Sequence, residues 1–446
     1  MLCPKVKVFL LPNFYMQKDI ANNRTIAVVG LGYVGLPLAL LAERKGYKVI
    51  GIDVSSEKME LLNKRVAPFA DQEIAEQLKN SSLEATMDFS KIKDASVIII
   101  CVPTPIHKNH MPNLEPVENA CRSIASFLQK EQLVILESTV NPGICENIIL
   151  SILEKESGLI VNKDFYLGHC PERVMPGKLL NNLQNYHRVV GGFDKETAEA
   201  MRDLYKTYVK GDLDLSDLTT AEVVKTTENY YRDVEIAFAN QLALLCEELG
   251  VNVYEARKLI NKVEDRNVHM PGAGVGGHCI PKDGLLNVSV IRSKKNSDAE
   301  VAVKMADLAR EINDFMPIHM ISLLKKGLEK AGRKLDRSKI AVLGYSYLAN
   351  SDDTRNSPTK TLLEKLNGSK VVVHDPFVEK YKGSLDVVLK NAGAAVFMVA
   401  HDEYKNLSLE KLKKLMRTKI LIDGRNIFSK DEAKKLGFIY KGIGNV

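Results

Sequence analysis

The sequence predicts an α/β chain with two doubly wound domains joined by a central all-helical region with a long connecting helix. Three observations predict it. A strand, a glycine turn, a helix and a second strand follow one another between Ile26 and Asp53. The apolar spacing then becomes helical from Thr219 to Leu249, and after Arg333 short apolar strands again alternate with helical stretches.

Length and composition narrow the class. A chain of 446 residues is long enough for about two or three domains, each with its own core. Apolar and charged fractions of 45% and 26% are those of an ordinary globular protein, and no apolar run approaches the length needed to span a bilayer. A net charge of +6 suits anionic small molecules, but no basic block or basic-aromatic interleaving points to nucleic acid. The seven cysteines are scattered, with no C-x-x-C pair, which argues against a disulfide framework or zinc site and for a reducing, cytoplasmic setting. His107 and His110 lie three apart in a polar loop and read as solvated surface, so no metal is expected. Residues 1–23 carry an apolar run broken by Pro12, too short for a signal segment, and read as an extension.

The first domain, residues 24–212, opens with Ile26-Ala-Val-Val-Gly30 as a strand. Gly30-Leu-Gly32-Tyr33-Val34-Gly35 is the turn, a helix runs to Lys45, and Val49-Ile-Gly-Ile-Asp53 is the next strand. Glycines here permit a tight turn and close approach of a pyrophosphate to the helix N-terminus. Asp53 stands where a ribose diol would lie, and its charge repels a 2′-phosphate, so NAD is favoured over NADP. Together these make a Rossmann-like domain. Val97 to Val102, Leu133 to Glu137 and Phe165 to Gly168 continue the near-continuous apolar strands of a covered parallel sheet. They end in Pro103-Thr104-Pro105, Ser138-Thr139 and Cys170-Pro-Glu172-Arg173, candidate walls of a site beyond the strand ends.

In the central region, residues 213–330, Val224, Thr227, Tyr231, Val234, Phe238, Leu242, Leu245 and Leu249 form one apolar stripe, expected to be the core seam of a long helix. Lys225, Asn229 and Arg232 form a polar stripe on a neighbouring face, expected to contribute to a buried polar site. Next comes Pro271-Gly-Ala-Gly-Val-Gly276-Gly-His278-Cys279-Ile-Pro-Lys282-Asp283. A glycine loop delivering a cysteine to a proline-started helix N-terminus favours thiolate over thiol, and Lys282 adds a cation. Gly272, Gly274 and Gly277 also fit G-x-G-x-x-G, but no strand precedes them, so this is not a second dinucleotide turn. Ala299 to Lys330 reads as a long connecting helix, expected to kink at Pro317.

The last domain, residues 331–446, has strands at Ile340, Val371, Ala394 and Ile420 but no G-x-G-x-x-G in its first turn. Asp352-Asp-Thr-Arg355-Asn-Ser-Pro358 leads into a helix, a good place for a phosphate-bearing group.

Six stretches in this order resemble the UDP-glucose/GDP-mannose dehydrogenase family, the nucleotide-sugar 6-dehydrogenases: residues 30–37, 137–143, 170–177, the Lys225 to Asn229 spacing, 276–283 and 353–358. The likeness covers about Ile26 to Asn426. It implies two Rossmann-like domains, NAD-binding and UDP-sugar-binding, around a helical dimerisation region, and a four-electron oxidation of a primary alcohol to a carboxylate with two NAD. It further implies a homodimer and a role in polysaccharide biosynthesis. By resemblance Cys279 is the nucleophile, Lys225 and Asn229 stabilise alkoxide and oxyanion, and Thr139, Glu172 and Asp283 orient water and handle protons. The cofactor set carried over is Gly30, Gly32, Tyr33, Val34, Gly35, Asp53, Pro103, Thr104, Ser138, Thr139 and Lys282. Substrate contacts carried over are Glu172, Arg173, Val174, Lys225, Asn229, Arg232, Gly276, His278 and Arg355, with Arg266 reaching across a dimer interface.

Within the family, residues 172–177 and 229–240 look most like the branch acting on UDP-N-acetylmannosamine, with Asp233 as one mark of it. UDP-N-acetylglucosamine and UDP-glucose stay open as substrates. Leu348 stands where relatives carry a substrate-contacting Lys. Two readings compete with this one. A two-electron hydroxyacid dehydrogenase shares the first domain but needs neither Cys279 nor the last domain, and a non-catalytic sensor of NAD or nucleotide sugar is favoured only by Leu348.

Overall fold

The computed structural model describes residues 25–69, 71–107, 111–173, 179–292, 294, 297–366 and 369–445. The extension, His110 and Val174 therefore lie outside the described residues. The chain divides into two units, Met1–Thr227 and Glu228–Val446.

The first unit is built on β1 (Thr25–Val29), β2 (Lys48–Ile52), β3 (Glu84–Thr86), β4 (Val97–Ile100), β5 (Leu133–Leu136), β6 (Tyr166–His169), β7 (Arg188–Gly192) and β8 (Leu213–Asp217). They form one sheet in the order β3-β2-β1-β4-β5-β6-β7-β8, parallel except where β6 meets β7. Ile26, Val28, Val97 and Ile99 face one apolar cluster, and Ala27, Ile98, Ile100 and Val134 face another. Both faces are therefore covered, which is why these strands carry almost no polar residue. Each fully buried Ile or Val contributes about 1.5–3 kcal/mol. The chain reverses its direction of travel across the sheet between β1 and β4, which places a crevice at their C-terminal ends.

The second unit repeats that logic with β9 (Lys339–Leu343), β10 (Lys370–His374), β11 (Ala394–Phe397), β12 (Ile420–Asp423) and β13 (Ile439–Gly442), all parallel in the order β10-β9-β11-β12-β13. Asp375, just after β10, occupies the position that Asp53 holds after β2. Its carboxylate accepts the Tyr345 and Ser346 amides (2.6 and 2.9 Å), the Phe377 and Val378 amides, and lies 3.2 Å from His401 Nε2. Fully buried and saturated by the protein, it has no capacity left for a ribose diol.

Two long helices complete this unit, Leu218–Leu249, which begins before the unit boundary, and Ser297–Lys330. The second continues as helix through Pro317. The expected core seam on the first is corrected. Tyr231, Phe238, Leu245 and Leu249 are 53–66% exposed within one chain, whereas Ala221, Ala237, Ala239, Ala243, Asp233 and Asn240 are buried. The helical period is right but the side is not, because small and polar residues let this helix pack closely while the large apolar side chains point outward.

Candidate active site

In the first unit, β1 ends at Gly30, whose φ of +94° and a virtual Cβ only 2.7 Å from the Cys101 carbonyl oxygen admit no side chain. Gly35 is equally constrained, since a Cβ there would lie 1.9 Å from the Gly30 carbonyl. Gly32 differs: among the described residues no atom beyond its chain neighbours comes within 4 Å of its virtual Cβ, so their packing does not require glycine there. The space fits a ligand. The helix behind it, Gly35–Arg44, has Val34 as an uncapping N-cap and no acid in its first turn, leaving its amides and dipole for an anion. Tyr33 stacks on Phe69 at 4.3 Å.

Asp53 closes this crevice. Its carboxylate accepts from Leu31 N (2.8 Å), Ser55 N (3.0 Å) and Lys58 Nζ (2.8 Å), and these partners hold its pKa low despite burial. Oδ2 is taken up by Leu31 and Lys58, while Oδ1, which accepts from Ser55 N, retains a lone pair for a hydroxyl, and the fixed negative charge opposes a phosphate. Across the crevice lie exposed Pro103 and buried Thr104, and Ser138 Oγ donates to the Val102 carbonyl at 2.7 Å, tying the ends of β4 and β5. Thr139 beside it is half-buried.

The next turn carries Glu172, buried, with Oε1 making no hydrogen bond among the described residues. Burial pushes its carboxyl up to about 7, against the pull of Lys225 and Arg188, with Glu137 pushing the same way as burial. Lys225 is also buried. Arg173 extends to the His187 carbonyl. Beneath Glu172 sits a group that sequence reasoning missed: Arg188 pairs with Glu137 at 2.9 Å, the two side chains 3% and 0% exposed, and the Tyr205 hydroxyl donates to the same Glu137 oxygen at 2.6 Å. The guanidinium also lies over the Tyr205 ring and 3.7 Å from Cys170 Sγ. Glu137 directly precedes Ser138-Thr139, and Cys170 is two residues before Glu172, so one ion pair underlies both turns. His169 was missed as well. It is wholly buried, neither ring nitrogen makes a hydrogen bond, and burial, reinforced by Lys225, pushes its pKa down to about 3. The Leu136 carbonyl opposes that shift from beyond full hydrogen-bonding geometry.

In the second unit the cysteine loop is held at both ends. Gly272 N–H donates to Asn240 Oδ1 at 2.9 Å. Gly277 N–H donates to the Arg355 carbonyl (2.9 Å), and Asn356 Nδ2 donates to the Gly277 carbonyl (3.0 Å). Gly276 allows this approach, since its virtual Cβ lies 2.5 Å from Tyr347 Cβ and 2.8 Å from the Asn356 carbonyl. Tyr347, a third residue not foreseen, lies against the loop at Gly276 and Gly277. Cys279 is exposed and stands where expected, at the start of the helix Ile280–Arg292, its carbonyl accepting from Lys282 N and Asp283 N. Lys282 is buried with its Nζ 3.6 Å from Asp283. Asp283 Oδ2 accepts from Asn229 Nδ2 at 2.7 Å, and its Oδ1 makes no hydrogen bond. His278 is pushed down to about 4 by burial, with Lys282 and Arg355 adding to the effect.

Not every carried-over residue joins this cluster. Arg232 and Arg266 are exposed, and Arg355 turns its guanidinium to Asp353 (3.0 and 3.1 Å) while its backbone carbonyl holds the loop at Gly277. Leu348 is exposed, its carbonyl accepting from Ser346 Oγ at 2.8 Å.

The dinucleotide crevice of the first unit is that of a nicotinamide-dependent dehydrogenase, and the second unit, taken by itself, sets the exposed Cys279 at a helix N-terminus. Comparison with known proteins agrees. Family models for the NAD binding, central and UDP binding domains of the UDP-glucose/GDP-mannose dehydrogenase family match residues 24–209, 219–315 and 341–430. The chain belongs to that family, and its cofactor is NAD. It is 42% identical to UDP-N-acetyl-D-mannosamine dehydrogenase of Pyrococcus horikoshii over 94% of this chain and 99% of that protein, and the solved structure of that enzyme superposes with a TM-score of 0.88. The Methanocaldococcus jannaschii UDP-N-acetyl-D-mannosamine dehydrogenase is 36% identical, covering 95% of this chain and 97% of its own. The structure of an NDP-N-acetyl-D-galactosaminuronic acid dehydrogenase from Methanosarcina mazei is similar too, with 37% identity, 98% coverage of both chains and a TM-score of 0.85. The chain is thus a UDP-sugar dehydrogenase.

Proposed function

We propose that the enzyme oxidises C6 of UDP-N-acetyl-D-mannosamine to the uronate in two successive two-electron steps. The observation that carries the chemistry is Cys279 at a helix N-terminus, with the Asn229–Asp283 pair behind it. NAD, when bound, accepts a hydride in each oxidation. In the first step the C6 hydroxyl passes its proton to a water held by Thr139 and Asp283 and C6 loses a hydride, giving the aldehyde, with Lys225 and Asn229 stabilising the developing alkoxide. The Cys279 thiolate then adds to the aldehyde carbon, forming a C–S bond and an alkoxide, since an aldehyde has no hydride to release until something adds to it. Loss of the second hydride leaves a thioester. Water, giving one proton to Glu172 and oriented with Thr139 and Asp283, attacks that carbon; the C–S bond breaks, thiolate is regenerated, and the acid formed releases the second proton to solvent and departs as carboxylate.

The substrate assignment rests on the similarity to UDP-N-acetyl-D-mannosamine dehydrogenases. Residues 24–212 are assigned to NAD, 213–330 to the nucleophile and a dimer contact, and 331–446 to the UDP moiety. Arg355 and His278 are proposed as UDP-sugar contacts, and Arg232 and Arg266 as reaching substrate only in a homodimer formed on the exposed Tyr231, Phe238, Leu245 and Leu249 stripe. The scattered cysteines support a cytoplasmic location. Purified enzyme given NAD and UDP-N-acetylmannosamine, UDP-N-acetylglucosamine or UDP-glucose in parallel should show at least tenfold higher kcat/KM on the first; an equal or higher value on another sugar would reassign the substrate.

A further inference from the structure

Between the helices Leu218–Leu249 and Ser297–Lys330 runs a chain of buried polar side chains that the chemistry above does not use. Asp233 Oδ1 accepts from Arg310 Nη1 and from Asn313 Nδ2, both at 2.7 Å, and the Asp233 carbonyl accepts from Asn313 Nδ2 at 3.0 Å. Asn313 Oδ1 accepts from Asn240 Nδ2 at 2.8 Å, and Asn240 Oδ1 accepts from Gly272 N–H at 2.9 Å. All four side chains are buried. The direction of this chain is fixed by its ends. An ionised Asp233 can only accept, so Asn313 must turn its NH2 toward it and its oxygen toward Asn240. Asn240 must then donate to Asn313 and offer its own oxygen to the Gly272 amide, which can only donate. The orientation of both amides therefore follows from the carboxylate at one end and the backbone N–H at the other.

Such a ladder is an expensive way to join two helices. Each buried polar group left unpaired would carry its full desolvation cost, and leucines would pack the same space without that risk. What it supplies instead is a single allowed register between the helices and one defined attachment point for the chain leaving them. That point is Gly272, the first glycine of the loop that delivers Cys279, seven residues on. The loop's other end is fixed at Gly277 by Arg355 and Asn356, so the Asn240 bond sets where the loop begins.

We infer that Asn240 and Asn313 are positioning residues for the Cys279 loop, with Asp233 and Arg310 as the charged anchor that orients them. The inference rests on Cys279 being the nucleophile, and its test separates the two ideas.

The test compares Asn240→Ala, which removes the acceptor for Gly272 and the donor to Asn313, with Asn240→Asp, which keeps the acceptor at equal volume and, in the protonated form that burial against the Asn313 oxygen favours, keeps the donor too. Three quantities are read on the full-length enzyme: the iodoacetamide alkylation rate of Cys279 by peptide mass, kcat, and NAD affinity. Asn240→Ala should lose about tenfold or more in kcat and change the alkylation rate at least threefold, with NAD affinity unchanged. Asn240→Asp should stay within about threefold of the parent in both kcat and alkylation. Parent-like kcat and alkylation in Asn240→Ala would overturn the inference, as would equal losses in the two variants. Should Asn240→Ala not fold, Asn240→Asp decides by hydrogen exchange: a Gly272 amide that loses its protection while alkylation and kcat stay at parent values overturns the inference, and retained protection with parent values supports it. A Cys279→Ser protein that keeps the parent activity would instead overturn the nucleophile assignment and leave the ladder's effect on the loop readable from alkylation of the parent and the Asn240 variants.

Discussion

Asn229 Nδ2 donates to Asp283 Oδ2 at 2.7 Å, joining a residue of the long helix to one in the first turn of the cysteine helix. Because the Asp283 oxygen accepts, this bond fixes which end of the Asn229 amide faces the cysteine helix, and in the proposed chemistry the second N–H goes to a substrate oxygen. Removing such a donor costs about 10²–10³ in kcat. Asn229→Ala should show that loss with KM changed less than about threefold, and steady-state kinetics check it; a rise in KM at unchanged kcat would mean that Asn229 merely binds substrate.

The turn glycines make a paired prediction. Gly32→Ala meets no atom of the described residues beyond its chain neighbours within 4 Å, so its melting temperature should match the parent while NAD affinity falls at least tenfold. Gly35→Ala must push a Cβ into the Gly30 carbonyl and should lose stability outright. Thermal melts and NAD titration separate the two; a Gly32→Ala protein binding NAD at parent strength would move the pyrophosphate elsewhere.

Glu172 should give the rate a pH limb near 7, since it acts as base only when ionised and burial pushes its carboxyl up to about 7. The facing charges are Lys225, Arg188 and Arg173, which pull it down, and Glu137, which pushes it up. Glu137→Gln should therefore move the limb to lower pH. Arg188→Met should move it to higher pH and, by leaving Glu137 unpaired, destabilise by about 3–5 kcal/mol. Limbs moving in the same direction would rule out this control of Glu172.

The same shift has a stability consequence of opposite sense to a salt-bridged acid. The folded state holds the Glu172 proton more tightly than the unfolded chain, whose ordinary value is 4.5, so its contribution to stability falls as pH rises from about 4.5 to about 7 and is constant above. Glu172→Gln removes the ionisation. Its melting temperature relative to the parent should therefore rise between pH 4.5 and 7, while turnover is lost; a constant difference across that window would contradict the raised value.

The exposed Phe238 and Leu245 predict an oligomer. Phe238→Asp with Leu245→Asp should convert a dimeric scattering mass into a monomeric one, and a parent protein already at the mass of one chain would remove the dimer from the account.

Much of this was legible in the sequence because it is local. Gly30 to Asp53 spells out turn, helix and acid within one βαβ unit, and the cysteine loop announces itself by glycines followed by Cys279 and Pro281. What escaped is what depends on distant partners. Arg188 is 51 residues from Glu137, and nothing in its strand's alternation marks it as the counter-ion of the Ser138-Thr139 turn. His169 sits within an apolar strand end and carries no motif of its own. Periodicity correctly gave the helix of Tyr231 and Phe238, but a helical period does not say which face meets the core, and here alanines, Asp233 and Asn240 fill it. Asp375 teaches the converse: an acid after the second strand of a doubly wound unit binds a ribose only if the protein leaves its oxygens unsaturated.

The most direct measurement is the amount of NADH formed per UDP-N-acetylmannosamine consumed, with sugar limiting, in the parent and in Cys279→Ser. Two NADH per sugar and uronate as product are expected in the parent, with Cys279→Ser failing to complete the second oxidation to free uronate. One NADH per sugar in the parent, or parent-rate uronate formation by Cys279→Ser, would contradict the thioester route.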